Sequence, residues 1–275
     1  IKHTDANGVT RTGLEGAAVY FIPNFEGLTF KKFLYIVLDA MGQLFYSLSI
    51  AMGIMVTYGS YMKKDANLVK SVNQIEIFDT GIALLAGMMI IPAVYAFSGT
   101  EGMSAGPGLM FITLPKVFAS LGAFGEFIGL IFFVMVLFAA LTSAISILEA
   151  ITSSVMDKFK WSRKKATLIM AASTFVISIL VCLGYNVFYF DLKFPTGAVG
   201  QILDVLDYAS NNILMPIVGL LTCILIGWVV KPKTTIEEIT LNGEKFSRKT
   251  LYVVMIKVVA PILLFIILLT GLGVI

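Results

Sequence analysis

The stretch Gly42-Gln43-Leu44-Phe45-Tyr46-Ser47-Leu48-Ser49-Ile50-Ala51-Met52-Gly53 lies inside an apolar run long enough to cross a membrane, yet it is crowded with small and polar residues. Ser47 and Ser49 are two positions apart. On a continuous helix they point about 200° away from each other, so both serve one site only if the helix is interrupted between them. An unwound turn at membrane depth exposes N–H and C=O groups that lipid cannot satisfy. It persists only where it lines a protein cavity and meets ligand, ion or water. The sequence therefore predicts a membrane helix broken near 47–51, with a binding site at the break.

The whole composition agrees with a membrane setting. With 58% hydrophobic residues, 13% charged residues and a mean hydropathy of +0.91 over 275 residues, the chain reads as an all-α polytopic membrane protein. Cys182 and Cys223 both fall in apolar runs and read as packing residues, with no metal-ligand spacing. The net charge of +3 is scattered over several loops without a basic stripe interleaved with aromatics, so nucleic acid is not expected as a partner. No nucleophile–base set and no cofactor motif is present, and the chain is not expected to be an enzyme.

Residues 1–32 read as an extracellular loop, a connector with scattered charges, Gly8, Gly13, Gly16 and Pro23. Apolar segments then recur at about 33–61, 75–98, 127–156, 164–184, 204–230 and 251–274, which makes 33–274 a transmembrane bundle with six predicted crossings. The loops at 62–74, 157–165 and 231–250 carry thirteen Lys and Arg, against six in the start of the chain and the loops at 99–126 and 185–203. The positive-inside rule puts the first set in the cytoplasm and both chain ends outside. The chain starts at Ile1 with no signal peptide, and a polar start outside the cell needs an earlier segment to carry it there, so a fragment is expected. The loop at 99–126 holds Gly102, Gly106, Pro107 and Gly108 but no Lys-Ser/Thr ending; it reads as an outer lid of short helical pieces and not as a phosphate loop. Pro216 and Pro261 mark expected kinks.

Within the third predicted crossing, Ala139, Thr142, Ser143, Ser146 and Ala150 recur at three- and four-residue steps. Small residues at this spacing serve close helix packing in membranes. Equally, Thr142, Ser143 and the Ala139 carbonyl offer three neutral oxygens to one hard cation, with Ile147 as an apolar wall one turn on. Both uses stay open on the residues alone. Asp79 is the strongest intramembrane acid, able to ligate Na⁺ or take up a proton, while Asp39 and Glu149 read as hydrogen-bonded structural groups. Asp207 and Asp157 lie near opposite membrane faces, where each serves either as half of a closing ion pair or as a solvated helix-end charge. His3 is assigned no role.

The motifs Asp39-Ala40-Met41-Gly42-Gln43-Leu44-Phe45-Tyr46-Ser47-Leu48-Ser49, Thr57-Tyr58-Gly59-Ser60-Tyr61, Gly108-Leu109-Met110-Phe111-Ile112-Thr113-Leu114-Pro115 and Phe138-Ala139-Ala140-Leu141-Thr142-Ser143 stand in this order. In them the chain resembles the neurotransmitter:sodium symporters, particularly the short bacterial members, from about Gly13 to Ile275. The resemblance implies a partial LeuT-type inverted-repeat fold in which the six crossings are the sixth to eleventh helices and the five N-terminal helices are missing. It implies a substrate pocket lined by Phe45, Tyr46, Ser47, Ser49, Met52, Ser143 and Ile147, and two Na⁺ sites drawing on Ser47 and Asp79 and on Ala139, Thr142 and Ser143. Both sites would be completed by the missing part. Asp207 matches the acid of the outer gate, Asp157 that of the inner gate, and Tyr61 the inner-gate tyrosine. Asp79 stands where many members have Asn, and Ala83 lacks the hydroxyl used by chloride-dependent members, so chloride-independent transport is expected. Met52 replaces a pocket-closing aromatic and leaves substrate size open.

The expected function is sodium-coupled symport of an amino acid or related small zwitterion across the plasma membrane, a bacterial inner membrane, by alternating access. Two rivals are a proton-coupled transporter using Asp79 and a non-transporting ligand-binding sensor or scaffold.

Overall fold

The computed structural model describes residues 2–4, 8–100, 103, 106–195 and 199–274. Gly102 of the glycine-rich loop lies outside the described residues. The chain divides into two compact units, residues 1–28 with 76–143, and residues 29–75 with 144–275.

Within residues 1–32, read from the sequence as an extracellular loop, the described residues form a hairpin and a short helix. A hairpin of β1 (Lys2–Thr4) and β2 (Thr10–Thr12), with His3 opposite Arg11, leads into α1 (Gly13–Phe21). The start of α1 is fixed by a capping box: Glu15 N–H donates to Thr12 Oγ1 at 3.3 Å and Thr12 N–H to Glu15 Oε2 at 2.9 Å. This helix seats on α4 (Leu68–Ser98). A Cβ on Gly16 would stand 2.7 Å from Pro92 Cα, and Tyr20 Oη donates to the Leu84 carbonyl at 3.1 Å. His3 stacks on Phe97 with ring centroids 3.9 Å apart, which gives it a packing role. The lid region forms α5 (Leu109–Ser120), whose Phe118 packs on Phe132, Gly125 and Gly129 of α6 (Gly122–Phe159).

In the second unit the chain runs through α2 (Phe30–Ser47), α3 (Ile54–Tyr61), the remainder of α6 and α7 (Arg163–Leu183). After the short pair β3 (Leu192–Lys193) and β4 (Val199–Gly200) come α8 (Ile202–Val229), α9 (Pro232–Ile239) and α10 (Lys249–Gly271). Helices α8 and α10 pack through small residues, as membrane helices do when no hydrophobic effect drives their association. A Cβ on Gly219 would meet Leu264 at 3.1 Å, and one on Gly271 would stand 2.5 Å from the Asn212 carbonyl oxygen.

Where the sequence predicts six crossings, five unbroken helices among the described residues are long and apolar enough to span a membrane: α4, α6, α7, α8 and α10. The first predicted crossing, expected to break near 47–51, is two shorter helices, α2 and α3, separated by residues 48–53. Pro216 and Pro261, where kinks are expected, each follow a π-helical stretch, at Tyr208–Leu214 and Met255–Val259, and Pro115 likewise follows one at Leu109–Thr113. Proline lacks an N–H and its ring crowds the carbonyl four residues back; a widened preceding turn relieves both.

Candidate functional site

At the break, α2 ends in a Schellman motif: Leu48 N–H keeps the helical bond to the Leu44 carbonyl at 3.0 Å, while Ser49 N–H donates to the Tyr46 carbonyl at 3.0 Å and Ile50 N–H to the Phe45 carbonyl at 2.9 Å. The backbone then turns left-handed at alternate residues, with φ of 53° at Ser49, 65° at Ala51 and 77° at Gly53. For Ser49 and Ala51 that conformation costs roughly 1–2 kcal/mol each, an expense typical of functional turns. Gly53 caps α3 and offers no side chain to the N–H groups of the first turn. The carbonyl end of one helix and the amide end of the next thus lie within six residues, partial negative charge beside partial positive charge. Such a junction can hold a cation at the first end and a carboxylate at the second. Ser47 is the last residue of α2 and exposed, Ser49 sits within the turn, and Phe45 and Met52 are half-buried.

Beside the break, within the same unit, a cavity of about 530 Å³ opens between α2, α8 and α10. Asp39, Gln43 and Tyr46 face it from α2, Asp207 and Asn211 from α8, and Thr270 from α10. Two predicted residues, Tyr46 and Asp207, therefore share one space. Asp39 joins them on the cavity wall, where the sequence suggested a structural group. Asn211 Nδ2 donates to Asp207 Oδ1 at 2.6 Å, while Asn211 Oδ1 is buried and has no hydrogen-bond partner among the described residues. An acceptor left so costs about 1–3 kcal/mol unless a donor enters the cavity. Phe45 faces a smaller recess with Asn211, Met215 and Ile267. The spacing 39, 42, 43, 46 is one helical face and was a legible signal for this wall.

The remaining predicted residues divide between the units. Ser47 belongs to the second; Asp79 on α4 and Ala139, Thr142 and Ser143 on α6 belong to the first, and Ile147 follows one turn beyond Ser143. Thr142 Oγ1 donates to the Ala139 carbonyl at 2.9 Å and the Phe138 carbonyl at 3.1 Å. Its hydrogen is thereby directed at the helix backbone. The chemistry of the set, two hydroxyl oxygens and a carbonyl, suits Na⁺. Asp79 is half-buried in α4.

At the basic end of the second unit, α3 is tied to α6 by two bonds one turn apart. Tyr58 Oη lies 2.7 Å from Ser146 Oγ, and Tyr61 Oη donates to Glu149 Oε1 at 2.6 Å. Arg163 Nη2 donates to Glu149 Oε2 at 2.6 Å. Tyr61 is thus placed on an acid that the sequence suggested only as structural, and Asp157 stands exposed near the end of α6. Tyr58 and Arg163 were missed; the signal was Glu149 in apolar surroundings with a basic turn fourteen residues on. Glu149→Gln is expected to lower the unfolding midpoint only slightly, because the Arg163 side chain is 60% exposed and solvent screens the pair. Thermal unfolding in detergent checks this, and an unchanged midpoint would remove the bond network as a stabilising element.

These helices and this break belong to a class of membrane transporters, and the chain is a member of the sodium:neurotransmitter symporter family, which matches residues 6–274. That family comprises transporters and not enzymes. The chain is 34% identical over 261 residues to an uncharacterized sodium-dependent transporter of Haemophilus influenzae, covering 94% of this chain and 54% of the relative. It is 31% identical over 263 residues to the uncharacterized sodium-dependent transporter YhdH of Bacillus subtilis, covering 95% and 56%. The crystal structure of MhsT in complex with L-phenylalanine superposes with a TM-score of 0.80 at 32% identity, over 94% of this chain and 56% of that one. The chain spans about half the length of the curated relatives it matches. It is a multi-pass membrane protein.

Proposed function

We propose that the intact protein carries out sodium-coupled symport of an amino acid, or a related small zwitterion, across the plasma membrane by alternating access. The observation that carries this reading is the junction at 48–53, where a carbonyl helix end and an uncapped amide helix end lie together in a chain of this family. A zwitterion matches those two partial charges. MhsT, crystallised with L-phenylalanine, supports an amino acid as the substrate class. Phe45, Tyr46, Ser47, Ser49, Met52, Ser143 and Ile147 line the proposed pocket. One Na⁺ is held by Ser47 and Asp79, the other by Ala139, Thr142 and Ser143. Asp79 supplies the negative charge that a chloride would otherwise bring, and Ala83 offers no hydroxyl to hold one. Asp207 belongs to an outer gate, Asp157 and Tyr61 to an inner one. Relatives are about twice this length, so the cycle is proposed for the intact transporter and not for these helices by themselves. The basic loops face the cytoplasm, and both ends of this chain face outward.

Uptake of labelled amino acids into proteoliposomes containing the intact protein tests the proposal. Accumulation that requires an inward Na⁺ gradient supports it. Binding without accumulation would make the protein a sensor or scaffold, and uptake that follows a pH gradient in sodium-free buffer would make it proton-coupled.

A further inference from the structure

A second, larger cavity has no part in the proposed transport site. It is an open groove of about 800 Å³ in the second unit, walled by the end of α8, by α9 and by the start of α10. Lys231, Lys233, Lys249 and Lys257 line it together with Trp228 and Val253. One carboxylate, Glu237, is also present, 3.7 Å from Lys233 Nζ, but both side chains are largely exposed, so that pair neutralises little.

Two π-helical turns meet beside the groove, Leu225–Val229 of α8 and Met255–Val259 of α10. Gly227 lets them come close: a Cβ there would stand 3.2 Å from the Ile256 carbonyl oxygen and 3.5 Å from Lys257 Cγ. Lys257 is the one basic residue in the apolar body of α10, eight positions beyond Lys249 and about 12 Å further along the axis. A lysine at that depth is costly unless its ammonium finds a polar partner. Its stem lies against Gly227 and its side chain lines the groove. Lys231, between α8 and α9, has φ 70° and ψ 139°, a conformation that suits glycine and strains any other residue. The strained position is occupied by a lysine of the groove wall.

Ammonium groups beside a tryptophan and valines suit an amphiphile with an anionic head, whereas a soluble anion leaves the apolar wall unused. Tryptophan and lysine at the end of a spanning helix also mark the level of lipid headgroups. Asn242, in the loop between α9 and α10, donates through Nδ2 to the Lys64 carbonyl at 2.7 Å, so two of the lysine-rich loops meet at this same end of the unit. We propose that this groove is a binding site for an anionic glycerophospholipid, with Lys231, Lys249 and Lys257 on the phosphate and Trp228 and Val253 against the acyl chains.

Native mass spectrometry of the purified intact protein, titrated with phosphatidylglycerol, phosphatidylcholine or inorganic phosphate, tests the site without reference to transport. Phosphatidylglycerol adducts are expected to form in preference to phosphatidylcholine adducts and to survive excess inorganic phosphate. Lys249→Gln with Lys257→Gln should weaken phosphatidylglycerol binding by about thirtyfold, and Lys249→Arg with Lys257→Arg should retain it. Should the glutamine pair fail to fold, Lys231→Gly, which relaxes the backbone, is expected to lower binding severalfold on its own. Equal binding of the two lipids, displacement by inorganic phosphate, or unchanged binding in the folded variants overturns the proposal.

Discussion

Asp79→Asn is expected to reduce sodium-driven uptake by the intact transporter by about a hundredfold in chloride-free buffer. The substitution keeps the size and one oxygen ligand but removes the only full charge proposed for the first Na⁺ site, in a helix with little water to compensate. A hundredfold loss corresponds to about 2.8 kcal/mol, modest for a charge lost beside a cation at low dielectric. The accompanying result is specific: adding chloride should restore part of the uptake in the variant and none in the parent, because a mobile anion then supplies the missing charge. Uptake measured with and without chloride checks both. Full activity of the variant in chloride-free buffer removes Asp79 from the ion site.

Thr142→Ala combined with Ser143→Ala is expected to raise the sodium concentration for half-maximal uptake at least tenfold, and Thr142→Ala alone severalfold. Each change deletes one neutral oxygen from the proposed second Na⁺ site and leaves the helix intact, since alanine is the best helix former. The Thr142 hydroxyl donates to the Ala139 and Phe138 carbonyls of its own helix, so its loss frees those acceptors. Sodium titrations of uptake at saturating substrate give the answer. An unchanged half-saturation would return the stripe to helix packing, the other use that small residues at this spacing serve.

Much of the architecture was legible because membrane helices are specified by length and apolarity, both local properties of the chain. A break near 47–51 could be suspected from two serines on opposite faces and a run of small residues, and the helices part at 48–53. Other features were written locally yet passed over. Thr12-Gly13-Leu14-Glu15 spells the capping box of α1, and Asp39, Gln43 and Tyr46 share one helical face. What no local pattern carried was the choice of partner. Glu149 could have met any cation; it meets Arg163 and Tyr61. Nor did any local pattern place Lys257, whose stem lies against Gly227 and whose side chain lines a groove with three other lysines.

The sequence by itself determined that this chain crosses membranes as helices, where its small and polar interruptions fall and which family it belongs to, since each follows from composition, spacing and motif order. Only the tertiary structure decided that Asp39 and Asp207 share a cavity, that π-helical stretches precede Pro216 and Pro261, and that four lysines gather around one apolar wall. Those outcomes depend on which helix faces meet, and in a membrane that is settled by close packing of small residues between segments far apart in the chain, which hydropathy does not encode.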